Sequence, residues 1–155
     1  MVSGNNNSMK YREASSADLP VINKILECNK LPFEDCEEHI GNFFVVEEEG
    51  KFFGLGGLQI CGAIGLVRSI VVVPEYRGRG IARGIYKLIE DRARDLGIDS
   101  LYLLTDTAEE YFLKLGFSVK DRNEIPASVT KTKQFRGLCP SSANVMFREI
   151  SGKGR

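Results

Sequence analysis

Apolar residues follow two rhythms along this chain. Several short runs are apolar throughout or alternate with polar positions, and one long stretch repeats every three to four residues. The chain therefore reads as mixed α and β. Lys10 to Glu13 alternates like an edge strand. Ser15 or Ser16 can cap a helix over residues 18–29, with Leu19, Ile22, Ile25 and Leu26 on one face. A short helix over 33–40, ended by Gly41, precedes a strand at 43–47, a hairpin turn at 48–51 and a returning strand at 52–61. Gly54, Gly56 and Gly57 inside that strand suggest a bulge or the close approach of other backbone. After a turn at 62–65, residues 66–73 read as a buried central strand stopped by Pro74. The clearest helix is 80–96. Its stripe is Ile81, Ile85, Leu88, Ile89, Ala93 and Leu96, Gly97 is its C-cap, and Glu90 and Arg94 form an i,i+4 pair. A buried strand at 100–105, a short helix at 108–115 closed by Gly116, and strands at 117–120 and 145–150 complete the pattern. The long interval between those last two strands predicts a helix near 127–135. The fold class is α/β (α+β): one domain over residues 10–150, with a disordered extension at 1–9 and a disordered tail at 151–155.

Length and charge narrow the function. At 155 residues with 43% apolar content, the chain builds one ordinary core. Lys plus Arg and Asp plus Glu each number 21, so the formal net charge is zero, which argues against a nucleic-acid or membrane-surface partner. The charge is uneven, however: residues 1–67 carry a net −5 and residues 68–155 a net +5. No apolar run spans a membrane. The polar, Asn-rich start (Met1 to Ser8) lacks a signal-peptide core, which points to the cytoplasm, and Met9 is an alternative start. His39 is the sole histidine and sits among acidic residues on what reads as an exposed helix face. Cys28, Cys36, Cys61 and Cys139 form no C-x-x-C pair and read mostly as small buried residues. No metal site is expected.

The candidate chemistry lies where strand passes through loop into helix, from Val71, Val72 and Val73 to Arg77, Gly78, Arg79, Gly80, Ile81 and Ala82. A helix N-terminus offers free backbone N–H groups and partial positive charge. Glycines let a phosphate approach, and Arg77, Arg79 and Arg83 add bidentate donors. The loop is built to hold a phosphate or pyrophosphate. It is neither G-x-x-x-x-G-K-[ST] nor a G-x-G-x-x-G dinucleotide fingerprint.

The run Arg77-Gly78-Arg79-Gly80-Ile81-Ala82 resembles the acetyl-CoA loop [Q/R]-x-x-G-x-[G/A] of the GNAT superfamily of N-acetyltransferases. The preceding V-x-P and Tyr76-Arg77-Gly78, and the downstream Ala108 to Phe117 pattern A-x-x-x-[FY]-x-x-x-G-F, are similar to that family as well. The resemblance implies a mixed sheet of about six to seven strands flanked by about four to five helices and splayed at the acetyl-CoA site. Pantetheine would bond the backbone of Val71, Val72 and Val73, and the pyrophosphate the N–H groups from Arg77 to Ala82. Phe112 would line the cofactor site, and the N–H of Ile70 or Val71 would face the thioester oxygen. Acetyl transfer to an amine is direct, and a homodimer is common in the family.

The chain departs from the usual family pattern at three positions. Where many members carry a tyrosine acid, five residues before the G-F phenylalanine, stands Phe112; where many carry a glutamate base, eight residues before the V-x-P proline, stands Leu66. Tyr111 is adjacent to Phe112 but about 100° round the helix. Thr105 stands where an asparagine is common. Transfer then relies on positioning, with water taking the amine proton, or on Thr105, Thr107, Tyr102 or Tyr111 reaching the sulfur.

Arg68, two residues beyond Leu66 on the same strand face, needs a partner if buried. That partner is either an internal carboxylate such as Glu47 or a substrate carboxylate. Gly65 to Ser69, Leu101 to Thr105, Phe112 to Phe117, and Phe135 with Leu138-Cys139-Pro140-Ser141-Ser142-Ala143 are similar to a narrower branch: N-acetylglutamate-synthase domains and arsenic-resistance-operon acetyltransferases. That branch implies a glutamate-like acceptor clamped by Arg68, with Lys131, Lys133 and Arg136 nearby. Cys139 is a conformational anchor before Pro140 or a reactive thiol, and the lack of an adjacent basic residue favours the inert role. The preferred expectation is an acetyl-CoA-dependent amino-acid N-acetyltransferase acting on a small-molecule amine. A protein acetyltransferase guided by the acidic residues 34–38, and a non-catalytic acyl-CoA-binding regulator, are the alternatives.

Overall fold

The computed structural model describes residues 9–31, 33–105, 108–132, 135 and 144–150. The strands are β1 (Lys10–Glu13), β2 (Phe43–Glu48), β3 (Lys51–Cys61), β4 (Ile64–Val72), β5 (Ser100–Thr105), β6 (Ser118–Lys120) and β7 (Asn144–Glu149). The helices are α1 (Leu19–Cys28), α2 (Cys36–His39), α3 (Ile81–Asp95), α4 (Glu109–Lys114) and α5 (Ala127–Thr130). The strands form one mixed seven-stranded sheet in the order β1-β2-β3-β4-β5-β7-β6. β4 and β5 run parallel and pair from Ile64 with Ser100 to Leu66 with Tyr102; the other pairings described are antiparallel. The chain divides into two compact units, one of Met1–Gly57 and Ser69–Asp91, the other of Leu58–Arg68 and Arg92–Arg155.

In the first unit, Ile22 and Leu26 of α1 pack with Cys36, Phe43, Val45, Leu55 and Val71. The glycines of β3 explain how α3 seats. A Cβ at Gly56 would lie 2.7 Å from Ile85 Cγ2 and 3.0 Å from Ile70 Cγ1; one at Gly54 would lie 3.0 Å from the Val71 carbonyl and 3.2 Å from Ile81 Cγ2. The close approach expected at these glycines is therefore real. The bulge falls beside them: pairing jumps from Val46–Gly54 to Glu47–Phe52, leaving Phe53 as the extra residue.

An ion-pair cluster ties β1 to β2 and to the turn before α1. Arg12 Nη1 and Nη2 donate to the two Asp18 oxygens, each at 3.0 Å, and Nε donates to Glu47 at 3.1 Å. The Ser15 N–H also donates to Asp18, at 2.8 Å, closing the helix entrance on this side. The Arg12 hydrogen bonds, with those from Ser15, hold the Asp18 carboxyl below the usual carboxylate range despite its burial.

In the second unit, Cys61, Leu66, Tyr102, Val129 and Val145 form a core, with Phe135 and Phe147 against it. Burial pushes the Cys61 thiol up, and burial with the Glu124 charge does the same to the Tyr102 phenol.

Several expectations change. The helix expected over 33–40 is one turn, Cys36–His39, followed by a 3₁₀ turn at Ile40–Asn42. Of the one expected near 127–135, Ala127–Thr130 is helical, Lys131 and Thr132 turn, and Phe135 is again helical, with 133 and 134 outside the described residues. In the segment 33–40 too few apolar positions recur to extend the helix. β4 starts at Ile64, so the turn before it is two residues, and the strand stops at Val72 because Val73 leads into a 3₁₀ turn at Pro74–Tyr76. Leu96 and Cys28 are exposed: each sits at a helix C-terminus, where the chain leaves its packed face. His39 is half-buried, with Nε2 3.9 Å from Asp35. No described helix is long and apolar enough to cross a membrane.

Two outcomes test this packing. Gly56→Val forces side-chain atoms into Ile85 and lowers stability by about 2–3 kcal/mol, read from urea melts. The depressed Asp18 carboxyl contributes stability that is present above the ordinary aspartate value of about 3.9 and is lost as pH falls through its folded value. Asp18→Asn removes about 1–2 kcal/mol at pH 7 and progressively less as pH falls below the ordinary aspartate value. Melts of both proteins across that range check it.

Candidate functional site

The candidate site begins where β4 ends. Val72 is followed by Val73, the 3₁₀ turn Pro74–Tyr76, four exposed residues from Arg77 to Gly80, and then α3. Backbone bonds fix this path. The Val73 N–H donates to the Phe53 carbonyl at 2.9 Å, and the Tyr76 N–H donates to the Val73 carbonyl at 2.9 Å. The Arg77 Nε–H reaches back to the Val72 carbonyl at 2.9 Å. Arg77 thus braces the loop from inside, and Val73 has both backbone groups engaged.

Gly78 and Gly80 hold φ of +81° and +83°, which side-chain-bearing residues rarely adopt. A Cβ on either would meet nothing within 4 Å, so there is room beside this backbone for a ligand. Ile81 then opens a helix of fifteen residues, whose first-turn N–H groups have no acceptor inside the helix. Helix dipole, uncovered glycine backbone and the exposed Arg79 and Arg83 together are an arrangement that can attract an anion. Tyr76 stiffens it: its ring stacks on Phe53 at 4.2 Å, and the Arg79 guanidinium lies 4.8 Å over the Tyr76 ring. The bulge at Phe53 is what turns that ring toward the loop, a feature with no sequence signal beyond the adjacent glycine.

Ile70 and Val71 follow Ser69, whose φ is +65°. Three features mark this point of β4: a left-handed non-glycine residue, a half-buried Ile70 and a buried Val71. The regular strand alternation read from the sequence breaks here, and a serine gives no sign of it. Such strain persists only where the surroundings enforce it, and it collects at functional sites.

In the second unit, Arg68 is 2% exposed. Its Nη1 donates to Gln59 Oε1 at 3.1 Å. The Glu47 carboxylate suggested for it is used elsewhere: Glu47 accepts from Arg12 at 3.1 Å and from the Gly50 N–H at 3.0 Å. Gln59 was missed because a glutamine in a strand carries no functional signal by itself. Leu66, at the usual glutamate position, is fully buried in its core cluster. Phe112 is buried and packs edge-on against Phe117 at 5.7 Å, while Tyr111 is exposed. Thr105 is half-buried, and its hydroxyl accepts the Ala108 N–H at 2.9 Å, entering α4. Lys131 is exposed on the turn after α5. Thr107, Lys133, Arg136, Cys139 and the residues around Cys139 lie outside the described residues, as do 1–8 and 151–155. Among the described residues no cluster of metal ligands occurs.

Comparison with known proteins places this geometry. The sequence is 28% identical over 144 residues to the amino-acid acetyltransferase of Neisseria meningitidis, covering 83% of this chain and 31% of that protein. It is 34% identical over 92 residues to the amino-acid acetyltransferase of Ralstonia nicotianae, covering 58% and 20%. The chain therefore spans about a third or less of these relatives. The N-acetylglutamate synthase of Neisseria gonorrhoeae, solved with coenzyme A and N-acetyl-glutamate, superposes at TM-score 0.78 and 25% identity, over 93% of this chain and 35% of that one. A GNAT-family acetyltransferase from Staphylococcus aureus shares the fold over nearly its whole length, at TM-score 0.76 and 16% identity, with 92% of this chain and 99% of that one covered. The sequence model of the acetyltransferase (GNAT) family matches residues 10–117, from β1 to the residue just before β6, and the chain belongs to that family.

Proposed function

We propose that the protein is an acetyl-CoA-dependent N-acetyltransferase whose acceptor is the amine of a small, carboxylate-bearing, glutamate-like amino acid. The observation that carries this reading is the strand-to-helix passage: strained β4 end, braced loop, two left-handed glycines and a long helix in sequence. Acetyl-CoA supplies the activated acetyl group as a thioester. The N–H groups from Gly78 to Ala82 bind its pyrophosphate, with Arg79 and Arg83 adding charge. The N–H of Ile70 or Val71 stabilises charge developing on the acyl oxygen, which fits the break in β4 at Ser69. The residues from Val71 to Val73 align the pantetheine arm, with the backbone of Val71 the most available, since Val72 and Val73 are engaged within the loop.

The chain positions rather than titrates. Leu66 and Phe112 cannot exchange protons, so water accepts the amine proton and the thiolate leaves with little help. Thr105 and Tyr111 are the described hydroxyls proposed to assist. Tyr102 keeps its proton over the whole neutral range, because burial raises its phenol. Arg68 supplies a buried cation for a carboxylate, and the relatives' printed names, amino-acid acetyltransferase and N-acetylglutamate synthase, support an amino-acid acceptor.

Thiol release with free amino acids as acceptors tests the reading: glutamate-like acids give turnover, and lysine peptides give none. Label entering protein, with free amino acids inert, would favour the protein-acetyltransferase alternative instead. Gly80→Val, which strains the left-handed backbone and crowds the anion site, weakens acetyl-CoA binding at least about tenfold, or about 1.4 kcal/mol, by calorimetry. Unchanged affinity would remove the loop from the cofactor site. Arg68→Lys keeps the charge but loses the planar fork. It raises the acceptor KM about tenfold while acetyl-CoA affinity holds.

A further inference from the structure

We infer that Lys51, with Arg79, forms a second phosphate subsite beside the strand-to-helix loop. It reads the phosphate monoester on the ribose of coenzyme A and so separates that ligand from the same molecule lacking the group. This rests on the acetyl-CoA reading above and extends it to the nucleotide end of the ligand.

Lys51, Phe53, Tyr76 and Arg79 belong to the same compact unit as the loop and the start of α3. Lys51 opens β3, and Tyr76 ends the 3₁₀ turn that leads into the loop. The Phe53 and Tyr76 rings lie 4.2 Å apart. The Lys51 ammonium stands 5.9 Å from the Phe53 centroid and 5.7 Å from the Tyr76 centroid, and the Arg79 guanidinium stands 4.8 Å from the Tyr76 centroid. One aromatic pair thus gathers two cations, and its electron-rich faces offset part of their mutual repulsion. Both cations are exposed. Glu48 is the cross-strand partner of Lys51, yet among the described residues Lys51 forms no ion pair. Cation–π contact fades beyond ~6 Å, so the ammonium is held loosely and keeps its donors for an anion. Coenzyme A carries two separate anionic groups. One is the pyrophosphate; the other, a few bonds away on the ribose, is a phosphate monoester of about −1.5 to −2 charge at pH 7. The loop N–H groups suit the first. The second suits a compact ammonium on a flexible stem beside that loop, with the Arg79 fork next to it.

Calorimetry of the full chain with coenzyme A and with dephospho-coenzyme A tests this. The wild-type protein binds coenzyme A at least about fivefold more tightly than the dephospho form. Lys51→Met keeps the stem and removes the charge. It weakens coenzyme A binding about fivefold and leaves dephospho-coenzyme A within about twofold, so most of the preference disappears. Lys51→Arg retains the preference. Lys24→Met, at an exposed position of α1, changes the net charge equally and leaves both affinities within about twofold. Equal binding of the two ligands by the wild-type protein overturns the subsite. So does an equal loss for both ligands in Lys51→Met, which would mark Lys51 as packing for Tyr76. Coenzyme A bound with the stated preference, but no thiol release with any amine, removes the proposed activity and leaves the subsite standing. Binding of neither ligand overturns both.

Discussion

The seating of α3 against β3 is the contact on which the candidate site depends. Gly54 and Gly56 have no side chains, so Ile81 and Ile85 descend almost to the strand's backbone. A helix held that close has its first turn fixed in place, and with it the N–H groups that no residue of the helix accepts. An anion-binding helix end is useful only when it is rigid, because the gain from preorganised dipoles vanishes if they must be reoriented at each binding event. Two glycines on a strand therefore serve a loop more than twenty residues away in sequence.

The loop is tightened from its other end by groups that read as ligands in the sequence. Arg77 spends its Nε–H on the Val72 carbonyl, and Tyr76 is clamped between Phe53 and the Arg79 guanidinium. An arginine-rich loop would repel itself if all its cations faced one point in water. Here one guanidinium bonds backbone and a second lies on an aromatic face. The left-handed Ser69 adds a strained residue within β4 that costs about 1 kcal/mol or more, a cost the surrounding sheet must offset.

The second unit follows a different logic. The positions that many relatives reserve for an acid and a base are here apolar and buried, Phe112 against Phe117 and Leu66 in its cluster. Polar groups at depth among the described residues include the Arg68–Gln59 pair and Thr132. A site of this composition is suited to holding a charged molecule in one orientation, and poorly suited to moving protons.

The sequence alone determined the element types with strong periodicity, the glycine- and arginine-rich passage from strand to helix, and the family. Each is a local property: apolar spacing along 81–95, a proline stop, glycines at the head of a helix with arginines beside them. Short elements were legible only as positions, because α2 and α5 are single turns that exist by tertiary contact and not by their own propensity. Tertiary structure alone decided the left-handed turn at Ser69 and which partner each buried charge takes, and it put at Phe53 the bulge that the β3 glycines suggested. Glu47 stands ready in the sequence for any cation, but β1 brings Arg12 alongside it, and Arg68 settles on an amide nine residues back. Pairing across strands depends on register, and register is set by the whole sheet, so no window of sequence contains it.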